Sequence, residues 1–385
     1  MDFGSSVDIV DHTIFAALDI GASDIHFEHH VDSLRVRFRI DGLLHDQNAI
    51  SKENAASIIA RVKVLSGLNT AERRIPQDGK FSINHLNRLI DIRVATFPCI
   101  GGERVVLRLL DGQEQSFTLN NLGISPDVQK KITKYVNFNQ GCILVTGPTG
   151  SGKTTTLHAL LKLLSEQSKH IISLEDPVEY TVKNISQAQI RPEVGFSFEN
   201  ALRAVLRQDP DVIMIGEIRD SVTAHSALRA SLTGHLVLSS VHTGDTIGVI
   251  ARLLDMGLEP FFISHALNAV LAQRLVRKLC NNCKFSQVLN DEEKQICQRL
   301  SISIDQAFIS SGCDNCNNFG YKGRIGIFEF LEISNNLRSL LLLKPSREEL
   351  LTQAYNDGLK PLISQAQNIL MSGQTSLFEI ARALL

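Results

Sequence analysis

Two hydrophobic patterns divide the chain into two regions. In the first, Leu34–Ile40 alternates strictly, with Val36, Phe38 and Ile40 on one face and arginines on the other, which predicts a half-buried strand. In the second, short continuous apolar runs such as Ile143–Val145 are followed by leucines at helical spacing. Buried strands that alternate with helices are typical of a parallel sheet covered by helices. The chain is therefore predicted to be an α/β protein.

The first region is predicted to be a small α/β module. Apolar residues at helical spacing predict a helix over Asp8–Asp19, and Asp41-Gly42 is typical of a hairpin turn. The other elements expected are a helix over Ser57–Leu65 and strands over Phe81–Ile83, Leu89–Thr96 and Arg104–Leu110. The polar segment Asp111–Gly123 is the best candidate for a linker. The predicted boundaries are a first domain over 1–112, a linker over 113–123 and a second domain over 124–385.

The second region is predicted to begin with a helix at Ser125-Pro126-Asp127, because serine is a favoured N-cap and proline suits the first helical position. Strands are expected at 142–146, 171–175, 212–216 and 236–241, and helices at 155–165, 198–207 and 221–232. The tail from Ser334 is predicted to be helical, with capping boxes at Ser346–Glu349 and Ser376–Glu379.

Composition and charge reduce the number of functional classes to which the chain could belong. A chain of 385 residues is long enough for two domains, and its net charge of −2 does not favour a nucleic-acid polymerase or packaging protein. The N-terminus has no basic and apolar signal segment, and no apolar run approaches the roughly 20 residues of a membrane helix. The sequence predicts a soluble, cytoplasmic protein that does not bind nucleic acid directly and reaches a membrane only through partners.

The strongest motif is a glycine-rich loop between a predicted strand and a predicted helix. Gly147, Gly150 and Gly152 leave room for backbone N–H groups to surround phosphates. Lys153 supplies a positive charge, and Thr154 supplies a hydroxyl for Mg²⁺. An ordinary glycine-rich turn is the alternative, but the strand–loop–helix setting argues against it. The predicted ATP- or GTP-binding residues are Gly147, Pro148, Thr149, Gly150, Ser151, Gly152, Lys153, Thr154 and Thr155.

Two predicted strands end near a carboxylate that suits phosphate chemistry. Glu217 follows an apolar run and is predicted to reach the Mg²⁺ shell beside the phosphate loop. Glu175 stands at another strand tip, where it can orient or deprotonate the attacking water. A capped, solvated loop is the alternative for Glu175. His242 lies at the end of a third strand, where it can sense a γ-phosphate, although a structural role is commoner for such a histidine.

Arginines near the predicted strands are candidates for neutralising transition-state charge. Arg93 and Arg108 occupy alternating positions in half-buried strands, and a charge on the buried side would need a partner. Asp91 and Glu103 are possible partners, and a triphosphate is the alternative, because a guanidinium can make two parallel bonds to phosphate oxygens. Surface ion pairs are the simpler interpretation of the others, which are Arg104, Arg203, Arg207 and Arg219.

Four cysteines occur as two C-x-x-C pairs, Cys280 with Cys283 and Cys313 with Cys316. Thiolates at this spacing suit a tetrahedral Zn²⁺ site of the closed, structural kind. Two unrelated reduced knuckles or a redox pair are the alternatives. The remaining cysteines are isolated in the sequence, which does not favour a disulfide framework. The segment 280–316 is therefore predicted to be a zinc-binding subdomain.

With these motifs the chain resembles the assembly ATPases of type II secretion, type IV pili and competence pseudopili. The resemblance runs from about Ala22 to the end of the chain. The four nucleotide motifs of that family resemble Gly147–Thr154, Ile172–Glu179, Asp211–Asp220 and Thr233–His242. Further segments similar to family signatures are Arg74–Lys80, Leu202–Asp211, Leu271–Cys283 and Gly320–Phe328.

The resemblance implies a fold and a mechanism. The second domain would be RecA-like, and the first would be a small PAS-like α/β domain that closes over the nucleotide. Glu175 would be the catalytic glutamate, Glu217 the acid of the Mg²⁺ shell, and Arg93 and Arg108 the arginines that reach the phosphates. The four-cysteine insert separates the assembly branch from pilus-retraction ATPases and from the hexameric ATPases of type IV secretion. The protein would be a homohexamer at the inner face of the cytoplasmic membrane that drives an inner-membrane platform protein.

Departures from the family and rival functions qualify this expectation. Arg191 and Gly244 stand where the family commonly has asparagine. The extra N-terminal domain of long members, which docks on a membrane adaptor, is expected to be missing, which favours the short, competence-type members. One rival is a nucleotide- and zinc-binding scaffold without catalysis. The other is a RecA-like DNA translocase, against which the near-neutral charge argues.

Overall fold

Strictly alternating strands and buried strands build two different sheets in the computed structural model. The structure describes residues 5–111 and 118–385, and these fall into two compact units, Met1–Gln113 and Glu114–Leu385. Residues 113–117 of the predicted linker lie outside the described part of the chain. In the described residues no helix is both long and apolar enough to cross a membrane.

The first unit is an antiparallel sheet with two helices packed against each other. The elements are α1 (Ser6–Asp19), β1 (Asp24–His29), β2 (Ser33–Ile40), β3 (Leu43–Asp46), β4 (Ile50–Ser51), α2 (Lys52–Leu65), β5 (Gln77–His85), β6 (Arg88–Cys99) and β7 (Gly102–Asp111). The sheet has the strand order β3-β2-β1-β7-β6-β5, and β4 pairs with β2.

The alternating pattern of β2 is confirmed. Val36, Phe38 and Ile40 are buried, while the arginines between them lie on the opposite face. Asp41 and Gly42 form the predicted hairpin turn between β2 and β3, and both have positive φ, as the favoured hairpin turns require. The strands β5, β6 and β7 are longer than predicted, because backbone pairing continues into their polar ends, from Gln77–Thr96 to His85–Arg88.

The second unit has a mixed, largely parallel sheet of order β10-β9-β11-β12-β8-β13-β16, in which β16 is antiparallel to β13. Its first half contains α3 (Pro126–Val136), β8 (Gly141–Thr146), α4 (Lys153–Ser165), β9 (Ile171–Glu175), β10 (Ser186–Gln189), α5 (Phe198–Val205), β11 (Val212–Ile215), α6 (Ser221–Leu232) and β12 (Leu236–Val241). Its second half contains α7 (Thr246–Asp255), α8 (Pro260–Ala266), β13 (Leu267–Leu279), β14 (Lys284–Val288), α9 (Asp291–Leu300), β15 (Gln306–Ser310), β16 (Tyr321–Glu332), α10 (Asn335–Leu341), α11 (Arg347–Asn356), α12 (Leu362–Met371) and α13 (Leu377–Leu384).

Both faces of this sheet carry apolar cores, which explains the continuous apolar runs of its strands. Leu144 and Ile213 belong to one core, and Ile143 and Met214 to the other. Because β8, β9, β11 and β12 are parallel, their carboxyl ends share one edge of the sheet. Ligands of open α/β sheets bind outside this edge.

The helical tail from Ser334 is confirmed, but one of its capping boxes is not. Ser346 and Glu349 form the reciprocal box at the start of α11. Ser376 caps α13 through the Glu379 backbone N–H, yet the Glu379 carboxylate does not return the bond. Instead it accepts hydrogen bonds from Arg277 of β13, at 2.8 Å from Nη2, and from Arg382. The prediction of a box was wrong because a buried tertiary ion pair takes the carboxylate.

Candidate active site and metal centre

The glycine-rich loop joins β8 to α4 at the carboxyl edge of the sheet. Gly147, Gly150 and Gly152 all have positive φ, so each favours glycine on backbone grounds. Gly147 is also needed for space. A Cβ there would lie 2.5 Å from the backbone oxygen of Gln273 and 2.6 Å from Oγ of Ser151.

The amino end of α4 has the properties of an anion site. Gly152 is the N-cap and offers no side-chain acceptor, so the first-turn N–H groups have no side-chain cap. Ser151 Oγ is buried and has no hydrogen-bond partner among the described residues. Backbone dipoles and unpaired donors at a helix N-terminus favour a bound phosphate. The predicted nucleotide residues 147–155 therefore fit a phosphate chemically.

Lys153 lies under this loop and is largely buried. Its Nζ donates to the backbone oxygens of Gly147 at 2.8 Å and Pro148 at 3.1 Å. Burial lowers the pKa of Lys153; the charge of Glu217 opposes this shift and that of Arg274 adds to it. A bound anion would offset the cost of burying the ammonium.

His242 connects Lys153 to Glu217. The Nζ of Lys153 lies 3.3 Å from Nδ1 of His242, and Nε2 of His242 lies 3.0 Å from Oε2 of Glu217. Since an ammonium can only donate and a carboxylate can only accept, the ring carries its proton on Nε2. Arg219 also contacts the Glu217 carboxylate. The structure thus joins three predicted residues in one contact chain: Lys153 at the start of α4, and Glu217 and His242 just after β11 and β12.

Glu175 lies in a different environment. Its Oε1 accepts from Ser173 Oγ at 2.6 Å and from Gln187 Nε2 at 2.9 Å, and its Oε2 lies 3.0 Å from Nε2 of His158. Burial alone would raise the pKa of Glu175, but these hydrogen bonds, that of His158 foremost, hold the pKa below its ordinary value. The residue is 2% exposed, so the solvated-loop alternative is wrong.

Two residues of β13 were not predicted: Gln273, which contacts the phosphate loop, and Arg274, which contacts the loop after β12. Gln273 is buried; it accepts from Thr156 Oγ1 at 2.8 Å and donates to the Ser151 backbone oxygen at 2.6 Å. Arg274 donates to the backbone oxygen of Gly244 at 2.6 Å. A polar pair that interrupts a long apolar strand was the available signal, but nothing in the sequence connects it to the loop.

In the first unit Arg93 and Arg108 lie directly opposite each other on β6 and β7. Both point away from the buried face that carries Ile92 and Leu107. The expectation of a charge on the buried side was therefore wrong, because the alternation of each strand turns these arginines outward. Together with Asp24, Asp78 and Lys80 they line an open groove of about 560 Å³.

The expected acidic partners of these arginines are engaged elsewhere. Asp91 accepts from Ser82 Oγ at 2.5 Å, and Glu103 forms a buried ion pair with Lys63 at 2.8 Å. Arg108 instead donates from Nε to Asp24 Oδ1 at 3.0 Å. Asp24 comes from β1, which pairs with β7 and brings the two residues into register.

The remaining arginine candidates have partners within their own unit. Arg203 pairs with Glu199 one turn earlier on the surface of α5, as the ion-pair interpretation expects, whereas Arg207 donates to the Arg203 backbone oxygen. Arg104 contacts Glu28 at 2.8 Å.

The four paired cysteines meet in one cluster. Their sulfurs all lie within 4.8 Å of one another; Cys280 is 3.8 Å from Cys313, and Cys283 is 3.9 Å from Cys316. Sulfurs around a tetrahedral Zn²⁺ with bonds of about 2.3 Å stand roughly 3.8 Å apart. A backbone hydrogen bond from Asn282 and those of neighbouring thiols lower the pKa of Cys280 to about 6, whereas burial raises the pKa of Cys283 and of Cys313, so Cys280 is the thiol of these three that ionises most readily. The spacing fits a metal and is too long for a disulfide.

Comparison with known proteins identifies the family. Residues 1–382 match the model of the Type II/IV secretion system protein family. The Type II secretion system protein E of Pseudomonas aeruginosa is 43% identical over 374 residues, which are 97% of this chain and 74% of that protein. The type IV pilus assembly ATPase TfpB of Acinetobacter baylyi is 40% identical over 384 residues, 98% of this chain and 65% of that protein.

Solved structures agree on the fold. The ATPase DotB of Legionella pneumophila superposes with a TM-score of 0.71 at 19% identity, covering 98% of this chain and 95% of DotB. The pilus retraction motor PilT with bound ADP superposes with a TM-score of 0.59 at 27% identity, covering 94% of this chain and 96% of PilT. The predicted fold class and family are therefore confirmed, and the chain belongs to the Type II/IV secretion system protein family, as an ATPase of these secretion and pilus systems.

Proposed function

We propose that this protein is a homohexameric motor that uses ATP hydrolysis to power the assembly of a pilus or pseudopilus, in type II secretion, type IV pilus formation or competence. It would work in the cytoplasm at the inner face of the cytoplasmic membrane, held there by an inner-membrane platform protein. The observation that supports this most is the contact chain Lys153–His242–Glu217 beside an uncapped helix N-terminus. The names of the relatives support the choice of system.

In this proposal the loop Gly147–Thr155 holds the phosphates of ATP through its backbone N–H groups, and Lys153 turns its ammonium from the loop oxygens to the outer phosphates. Thr154 and Glu217 hold Mg²⁺, which neutralises charge that develops on the phosphate oxygens. His242, already between Lys153 and Glu217, is placed to respond to the γ-phosphate.

Glu175 is the proposed residue that orients the attacking water. Its ionised carboxylate is an acceptor, and a water held by an acceptor is aligned for in-line attack on phosphorus. The low pKa makes Glu175 a weak base, so orientation is the better description of its role than complete proton removal.

The proposed domains are 1–112 and 124–385, joined by 113–123, with the first closing over the nucleotide. Arg93 and Arg108 form a cross-strand pair in an open groove, and two outward guanidiniums suit a triphosphate better than a core. Closure that depends on nucleotide would link hydrolysis to movement.

Zn²⁺ is the proposed occupant of the site formed by Cys280, Cys283, Cys313 and Cys316, within the subdomain 280–316. The cysteines flank β14, α9 and β15, so one ion would tie both ends of this excursion. Four thiolates leave no open coordination position, which makes the site structural.

Hydrolysis of ATP by the isolated hexamer tests the proposal. Lys153→Ala and Glu217→Gln should abolish Mg²⁺-dependent phosphate release, whereas Lys162→Ala on the same helix and Glu199→Gln on the surface should not. Each variant is assayed after its hexamer is verified, because a variant that fails to assemble could lose ATP hydrolysis without any effect on the site. Turnover at the wild-type rate in either site variant would contradict the assignment.

A further inference from the structure

His158 is a buried titratable residue to which the proposed mechanism gives no role. It lies on α4, the helix that begins at the phosphate loop, and is 4% exposed. Its Nε2 is 3.0 Å from Oε2 of Glu175. Its ring meets the ring of Tyr180 edge-on, with 5.9 Å between the ring centroids. Its Nδ1 is buried and has no hydrogen-bond partner among the described residues.

The direction of this hydrogen bond follows from its partners. An ionised carboxylate has no proton to give, so Nε2 of His158 is the donor and Oε2 of Glu175 the acceptor. In the described residues Glu175 is the charged group within hydrogen-bonding distance of the ring. Gln187 from β10 and Ser173 from β9 face the same carboxylate but are neutral.

The two oxygens of Glu175 are used unequally. Oε1 receives two hydrogen bonds, from Ser173 and Gln187, which occupy both of its lone-pair directions. Oε2 receives one from the residues that the structure describes, that of His158, which leaves its second lone pair for another donor. A water oriented by Glu175 would therefore be bound by Oε2, the oxygen whose position His158 sets.

We infer that His158 is a positioning residue for ATP hydrolysis, which ties the phosphate-loop helix to Glu175 and aims Oε2 at the attacking water. The inference rests on the proposed role of Glu175. It gives α4 a second task, since the same helix presents its N-terminus to the phosphates and its side chain to the water-orienting carboxylate. A shift of the phosphate loop would then move the carboxylate with it.

Replacement of His158 by residues with and without a donor tests this inference. His158→Leu removes the donor at similar bulk and should lower kcat by about ten- to a hundredfold, the scale for loss of a hydrogen bond to a charged group. KM for ATP should change little, because Glu175 does not hold the nucleotide. His158→Gln, whose amide can donate from a similar position, should recover most of kcat. If the leucine variant fails to assemble, His158→Asn replaces it in the experiment. The asparagine amide is too short to reach Oε2 of Glu175, so this variant also lacks the donor.

The pH profile gives a readout that a packing role would not move. Loss of the His158 donor should raise the pKa of Glu175, so the acid limb of kcat should shift to higher pH in the leucine variant and stay near the wild-type position in the glutamine variant. Equal losses in both variants, or a loss confined to KM, would overturn the inference.

A double-mutant cycle with Glu175→Gln separates this inference from the proposed function. In single-turnover hydrolysis, His158→Leu should cause no further loss once Glu175 is replaced, because His158 acts through that carboxylate. A full additional loss would assign His158 a role independent of Glu175. If Glu175→Gln alone hydrolyses ATP at the wild-type rate, the proposed role of Glu175 fails first, whatever His158 does.

Discussion

Glu217 and Glu175 stand at the ends of neighbouring parallel strands, yet their surroundings are opposite. Glu217 is partly exposed and contacts two basic side chains, His242 and Arg219. Glu175 is buried and receives its hydrogen bonds from His158, Ser173 and Gln187. The difference shows that the position of a carboxylate at a strand end does not determine its role, because the role depends on the side chains around it. The surroundings of Glu217 are open, which suits a cation and phosphates, whereas Glu175 lies in a buried cage of three hydrogen-bond donors.

The sharpest test of this contrast replaces each carboxylate by its amide. Glu175→Gln should lower turnover by about 10⁴ while ATP still binds, because the residue acts on water and not on the nucleotide. Glu217→Gln should lose turnover and also weaken the dependence of nucleotide affinity on Mg²⁺. Nucleotide affinity and phosphate release, measured on the same hexamers with and without Mg²⁺, separate the two. Loss of ATP affinity in Glu175→Gln, with unchanged turnover per bound ATP, would reverse the assignment.

The arginine pair of the first unit tests whether the open site is complete without it. Arg93→Ala and Arg108→Ala should fold and form hexamers but lose about 10³ in turnover, the lower end of the range for arginines that contact a transferred phosphoryl group. Arg35→Ala, which removes an exposed ion pair with Asp46 on the same face of the sheet, is the matched control.

If Arg93 and Arg108 serve only the fold, their alanine variants would lose thermal stability and keep turnover per folded hexamer. Asp24→Ala adds a further check, since it removes the acceptor of the Arg108 Nε without removing the guanidinium. Turnover at the wild-type level in both alanine variants would exclude the closure mechanism.

Metal removal should affect structure before catalysis. We expect one zinc per chain, and Cys283→Ser should unfold the excursion between β13 and β16 first, because the binding energy of a structural site is folding energy. ATP hydrolysis should fall only in part. Limited proteolysis and metal analysis of freshly reduced protein measure this, with Cys297→Ala of α9 as the control. Absence of zinc from the wild-type protein would contradict the prediction.

The smallest effect on catalysis is expected at Glu379, a second caged carboxylate. Burial would raise its pKa, but Arg382 and Arg277 lower it to about 2. Since the pKa in the folded state is below the ordinary value of 4.5, this stabilisation is present above pH 4.5 and is lost as the pH falls towards 2. Glu379→Gln should cost about 3 kcal/mol of unfolding free energy, the scale for a broken buried pair, and leave turnover unchanged.

Chemical denaturation at pH 7 and pH 3 measures the Glu379 effect, with the exposed Glu348→Gln as control. The difference between wild type and Glu379→Gln should shrink at the lower pH. If Glu379→Gln lost as much turnover as Glu175→Gln, the assignment of Glu379 to stability and of Glu175 to catalysis would be wrong.

Local sequence was enough for the features whose parts are adjacent in the chain. The phosphate loop was predictable because a buried strand, three glycines and a helix follow each other, and the structure gives those glycines positive φ. The alternation of β2 and the turn at Asp41-Gly42 were predictable for the same reason. The paired cysteines were recognisable as candidate ligands because each pair lies within four residues, although only the fold brings the two pairs together.

Tertiary structure alone decided which polar groups meet across long stretches of chain. Gln273 reaches Thr156 across 117 positions, Arg108 reaches Asp24 across 84, and neither pair has a signal in the local pattern. The same holds for the bond between His158 and Glu175, which depends on α4 packing against β9. Periodicity reports which face of an element is buried, but hydrogen bonds depend on distance and direction between elements. The sequence by itself therefore determined the glycine-rich loop and the strand and helix beside it, and the packing of the sheet decided which carboxylate is open and which is caged.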